Sequence, residues 1–158
     1  MLQVTFIVFA LLATGYCWPS GAPESTCNTL LPSHGSNRPK PASSSPFTLT
    51  QSHDDFEPGE RVRVIVKAPD GLAFKGLVVQ AYDPLTNLPI GSFQSGRGLK
   101  TLDACSAVTH TDKRGKRSAT LIWIAPPNAR GKVAFRATIV QRFSEFYYGI
   151  NAEIESKA

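Results

Sequence analysis

Alternation with a period of two is the pattern that most narrows what this 158-residue chain can fold into. Arg61-Val62-Arg63-Val64-Ile65-Val66-Lys67 sets Val62, Val64 and Val66 on one side, and Arg61, Arg63 and Lys67 on the other. Successive side chains of a strand point to opposite faces, so such a segment buries one face and wets the other. Between Lys132 and Phe143 the pattern repeats, with Val133, Phe135, Ala137 and Ile139 opposed to Arg136 and Thr138. Ser118 to Ala125 places Leu121 and Trp123 together. From Phe74 to Tyr82 the chain is more continuously apolar, the composition of a central strand covered on both faces.

A last alternating run puts Phe146, Tyr148, Ile150, Ala152 and Ile154 on one face, and shorter strands fit at 46–51, 90–94 and 106–111. Turn chemistry separates the runs at Glu57-Pro58-Gly59-Glu60, Ala68-Pro69-Asp70-Gly71, Asp83-Pro84, Arg114-Gly115 and Ala125-Pro126-Pro127-Asn128. No window sustains a helical period and no repeat is present. Seven or eight short strands at this spacing predict an all-β fold, an antiparallel β-sandwich over residues 46–158. Ahead of it, residues 18–45 are rich in Pro and Ser, with prolines at Pro19, Pro23, Pro32, Pro39 and Pro41. This stretch reads as an extended lead-in with few core residues, near which Leu30-Leu31 can pack.

The N-terminus differs from everything after it. Val4 to Ala13 is almost wholly apolar and uncharged, too short for a membrane span of about 20 residues but long enough for a signal peptide. Residues 1–17 are therefore expected to be removed and the protein secreted without a membrane anchor; the alternative is a buried N-terminal helix or strand. Cleavage before Trp18 discards Cys17 and leaves Cys27 and Cys105 as a pair, whereas cleavage before Tyr16 retains Cys17 as a third thiol. The two-cysteine product suits an oxidising compartment.

With 17 Lys and Arg against 12 Asp and Glu, the chain carries a formal charge of +5. A basic excess favours bacterial envelopes, sulfated glycans or nucleic acid, and is also common in proteins that bind none of them. The densest cationic feature is Asp112-Lys113-Arg114-Gly115-Lys116-Arg117, placed between two expected strands. As a hairpin tip, Lys113, Arg114, Lys116 and Arg117 would grip phosphate or sulfate; the plainer alternative is a solvated loop. Arg97 and Lys100 extend the patch if their loop lies at the same end. Phe143, Phe146, Tyr147 and Tyr148 cluster near the C-terminus, where alternation favours core packing and leaves Tyr147 as the outward ring.

Catalytic signals are sparse. His34, His53 and His110 have no zinc-type spacing, and His53-Asp54-Asp55, the one stretch resembling a metal site, reads as a solvated turn. There is no nucleophile elbow, no phosphate-cradling glycine loop and no Asn-x-Ser/Thr sequon. The expectation is a non-enzyme with no cofactor, no metal and no nucleic-acid partner.

Several strings together resemble the reeler domain family. They are Phe74-Lys75-Gly76-Leu77-Val78-Val79-Gln80-Ala81-Tyr82-Asp83, then Pro89-Ile90-Gly91-Ser92-Phe93, Cys105, and Val108-Thr109-His110-Thr111. Leu121 to Pro126 and Val133 to Val140 complete the order. The opening Pro19-Ser20-Gly21-Ala22-Pro23, with Cys27 and Leu31-Pro32-Ser33-His34, is similar to the small single-domain insect defence members. This resemblance implies an immunoglobulin-like sandwich, a Cys27–Cys105 bridge, secretion and a part in innate immunity. It also implies binding to lipopolysaccharide, β-1,3-glucan or haemocytes. It carries over no catalytic residue and no defined binding residue. The alternative function is an adhesion or matrix module that binds a host protein or haemocytes, and the oligomeric state stays open.

Overall fold

The alternating segments fold as strands that face one another across one apolar layer. The computed structural model describes residues 20–156, so the expected signal peptide, its cleavage site and Cys17 lie outside the described residues. In chain order the strands are β1 (Lys40–Pro41), β2 (Thr48–Gln51), β3 (Asp55–Phe56), β4 (Arg61–Lys67), β5 (Gly76–Tyr82), β6 (Ser92–Phe93) and β7 (Leu99–Leu102). They continue with β8 (Ala107–His110), β9 (Ser118–Ile124), β10 (Gly131–Lys132), β11 (Ala134–Arg142), β12 (Glu145–Asn151) and β13 (Glu153–Ile154). Three short 3-10 turns, at Glu24–Asn28, Ala42–Ser44 and Asp103–Cys105, are the only helical pieces among the described residues.

The strands form a six-stranded sheet in the order β1-β12-β11-β5-β8-β7 and a five-stranded sheet in the order β13-β2-β4-β9-β6, with a β10-β3 ribbon beside them. This is the expected all-β sandwich. Pairing is antiparallel except at two edges, where β1 runs parallel to β12 and β13 parallel to β2.

Alternation decides which residues meet in the middle. Val62, Val64 and Val66 are fully buried while Arg61, Arg63 and Lys67 of the same strand are exposed. Facing them, Val79 and Ala81 of β5 and Phe135, Ala137 and Ile139 of β11 close the layer. Trp123 sits at its centre, edge-on to Phe56 and Phe135, and its Nε1 donates to the Ile90 carbonyl at 2.9 Å. A buried indole N–H needs such a partner.

The lead-in does more than run past the domain. Leu30 is buried against Val78, Leu102, Cys105 and Ala107 on the outer face of the six-stranded sheet, forming a second, smaller core. Thr138, which alternation turns away from the main core, is buried there as well and donates to the Leu30 carbonyl at 2.6 Å. The Cys27–Cys105 bridge, with Cα atoms 5.6 Å apart, ties the lead-in to the same face. Gly21 approaches β8 so closely that a Cβ would lie 1.9 Å from the His110 carbonyl oxygen, and its φ is +93°.

Two expectations need correction. Tyr147, expected outside, is buried in the inter-sheet core against Phe47, whereas Tyr148, expected inside, is exposed. The phase of β12 slips at Gly149, which takes φ +75° where the β11–β12 register shifts, so Tyr147 and Ile150 reach the same face. Phe146 is still buried, because His34 of the lead-in covers the outer face. The second correction concerns residues 111–117, which form no hairpin. They cross from β8 in one sheet to β9 in the other.

Candidate functional site

The 111–117 crossover is organised around Asp112. Its carboxylate accepts from the Arg114 backbone N–H at 2.9 Å and from Arg114 Nη2 at 2.9 Å. Lys116 Nζ folds inward, donating to the Asp112 carbonyl at 2.9 Å, to Asp112 Oδ1 at 3.1 Å and to the Arg114 carbonyl at 2.9 Å. Arg114 first, then Lys116, hold the Asp112 carboxyl well below the usual carboxylate range. Lys116 also exchanges backbone hydrogen bonds with Phe74, pinning the crossover to the start of β5. Of the four expected anion ligands, Arg114 and Lys116 thus share an internal carboxylate, while Lys113 and Arg117 project into solvent. Arg97 does lie at this end, its loop joined to the crossover by Thr111 N–H donating to Gly98 O at 3.0 Å. Lys100 lies on the edge strand β7, opposite Thr109.

Lys113 has a second neighbourhood. It stands on the rim of a cleft of about 370 Å³ between the lead-in and the outer face of the six-stranded sheet. That volume falls within the 300–1,000 Å³ range of small-molecule sites. The floor is a cross-strand quartet in which Val78 faces Thr138 and Gly76 faces Val140. One wall is the lead-in from Ala22 to His34, and Phe143 lines the cleft beside His34. The rim carries Lys75, Lys113 and Arg142, and among the described residues no Asp or Glu lines the cleft. Arg142 pairs with Glu145 at 2.6 Å, whereas Lys75 and Lys113 make no ion pair among the described residues.

Two histidines line the cleft. His34 is 95% buried, its ring 4.5 Å from Phe143 and 5.2 Å from Phe146, and its Nδ1 has no hydrogen-bond partner among the described residues. Burial pulls its pKa down, against an opposing pull from the Phe143 backbone. His110 Nδ1 accepts from the Leu77 backbone N–H at 3.2 Å, and its ring lies over Gly76, where a Cβ would come within 2.9 Å of Cε1. Burial lowers its pKa as well. Both rings are therefore neutral at pH 7 and offer hydrogen bonds, not charge.

Among the described residues no three His, Cys, Asp or Glu side chains converge as metal ligands. His53-Asp54-Asp55 disperses: His53 faces Glu60 at 3.2 Å, and Asp54 and Asp55 share Lys132 at 2.7 and 3.0 Å. The cleft itself left no mark in the residue order. Its walls come from four separated stretches, and the polar lead-in that roofs it reads as linker.

Fold and cleft together define a class, a β-sandwich module with a cationic-rimmed recess on a sheet face. The chain belongs to the reeler domain family, whose match spans residues 25–157. It is 32% identical to "Putative defense protein" of Bombyx mori over 84% of this chain and 81% of that one. To "Putative defense protein 3" of Antheraea mylitta it is 31% identical, covering 95% and 93%. The match to "Putative ferric-chelate reductase 1 homolog" of Drosophila melanogaster, at 35% identity, spans only 25% of that longer protein. Among solved structures, the human F-spondin reeler domain superposes with a TM-score of 0.60 at 24% identity, over 82% of this chain and 99% of that one.

Proposed function

We propose that this protein is an extracellular, non-catalytic defence module that binds anionic components of microbial surfaces without a cofactor. The observation that carries the reading is the cleft whose rim holds Lys75, Lys113 and Arg142 with no carboxylate in its lining. A cationic rim over a partly apolar floor suits phosphorylated or sulfated glycolipids such as lipopolysaccharide. Support also comes from the insect defense proteins, which match over most of both chains. No helix among the described residues is long and apolar enough to cross a membrane.

The test is retention on beads coated with lipopolysaccharide, with beads carrying the uncharged β-1,3-glucan as the comparison. The native protein is expected to bind, with retention falling steeply between about 50 and 500 mM salt, because exposed charges are screened within a few ångströms at high ionic strength. Lys75→Ala/Lys113→Ala should lose about tenfold in affinity, and Arg114→Ala, whose cation is already paired, much less. Equal negligible retention of native and variant protein, or salt-insensitive binding to haemocytes alone, would overturn this reading in favour of a host-directed adhesion module.

A further inference from the structure

We infer that the cleft holds the acyl chain of an anionic amphiphile, with its headgroup on Lys75 and Lys113. The inference rests on the reading that the protein binds anionic microbial components, and it names the part of such a molecule that enters the domain.

The argument starts from the floor. Val78 and Val140 sit on the outer face of the six-stranded sheet, where alternation calls for polar side chains. Leu30 covers part of this apolar strip, and Val140 remains only half-covered. Polar side chains of the lead-in, Ser25, Thr29 and Ser33 among them, edge the recess, and the aliphatic strip of Leu30, Leu31, Val78 and Val140 in its lining suits a flexible hydrocarbon chain. The rim then selects the headgroup. Lys75 and Lys113 are exposed and make no ion pair among the described residues, so a phosphate or carboxylate at the mouth meets two cations and no lining carboxylate. The third observation is His34, nine-tenths buried in the wall with Nδ1 unpartnered among the described residues. Buried polar atoms are ordinarily paired; an ester or amide carbonyl at the head of an acyl chain accepts from Nδ1–H, and an amide N–H donates to Nδ1 in the other tautomer.

The experiment is calorimetric titration of the full, oxidised protein with alkyl phosphates of 8 to 14 carbons, each below its micelle concentration. Affinity should rise about three- to fourfold per methylene and level off once the cleft is full. Inorganic phosphate should not bind measurably, and neutral dodecyl maltoside should bind at least tenfold more weakly than dodecyl phosphate. Dodecanoate, with the same tail, separates a carboxylate headgroup from a phosphate one.

Two variants place the chain. Val140→Trp fills the floor, and Ser25→Trp narrows the mouth from the exposed side of the lead-in; each should lower dodecyl phosphate affinity at least tenfold, with near-UV circular dichroism confirming the fold. Affinity independent of chain length, or undiminished in both variants, would overturn the inference. Lipopolysaccharide beads that retain the protein alongside a flat chain-length series would sink the acyl site and leave the proposed function standing. A steep series without bead retention would do the reverse.

Discussion

His34 and His110 are drawn out of water by the lead-in and the sheet, and burial holds both imidazoles below their ordinary pKa. The unfolded chain therefore binds protons that the folded one refuses. Stability is full above about pH 6.5, falls as pH drops below that value, and levels off once the folded groups protonate. The urea midpoint should be lower at pH 5.5 than at pH 7.5, and His34→Gln/His110→Gln should flatten the difference. The lowered carboxylates Asp54, Asp112 and Glu145 act in a separate window, their stabilisation lost only below about pH 4. Gly149 makes a different demand. With open space around its Cα and φ at +75°, Gly149→Ala should cost about 1 kcal/mol of conformational energy and no steric clash, measured by denaturant unfolding. That glycine also explains why plain alternation fails at Tyr147 and Tyr148. Val62, Val64 and Val66 were legible because β4 has unbroken phase, whereas a one-residue slip in β12 exchanges the faces of Tyr147 and Tyr148.

The lead-in and the crossover show where reading of the elements stops. Strand positions follow from local alternation, but the sheet to which each strand belongs does not. A charged turn between β8 and β9 looks the same whether it joins neighbours or changes sheets; the change of sheet shows only in the pairing of β9 with β4 and β6 and in the backbone hydrogen bonds that hold the crossover to Phe74. Likewise, a proline-rich stretch holds too few apolar residues to announce a core. Leu30 succeeds because the bridge brings it to a face already lined by Val78 and Ala107. The element therefore depends on that covalent tie. Cys27→Ser/Cys105→Ser should keep the two sheets but lose about 4 kcal/mol, the loop-closure entropy of a 78-residue separation, measured by thermal or urea unfolding. Gly21→Ala should loosen the same element from the other end, since its Cβ has no room beside the His110 carbonyl and the backbone is left-handed. Faster proteolysis within residues 20–35, with the sandwich intact, is the expected readout.

For the whole molecule, the sandwich was visible because its inner layer is built from period-two patterns, and the bridge because the family resemblance implies the pair Cys27 and Cys105. The cleft was hidden because it is a property of juxtaposition, a linker laid over a sheet face that alternation alone would leave wet. The bridge has a mechanical consequence as well. A pull applied at Gly21 passes through Cys27 directly into Cys105, a step of 5.6 Å between Cα atoms, bypassing a sequence separation of 78 residues. Β1, β2, β4 and β5 all lie within that bypass and bear no tension from the two ends. In a force-extension experiment the oxidised protein should give up only the chain beyond Cys105 and the few residues before Cys27. Reduction should release a further length on the order of 270 Å, the contour of the hidden segment at about 3.4 Å per residue. A thiol would then act on this domain as a length switch.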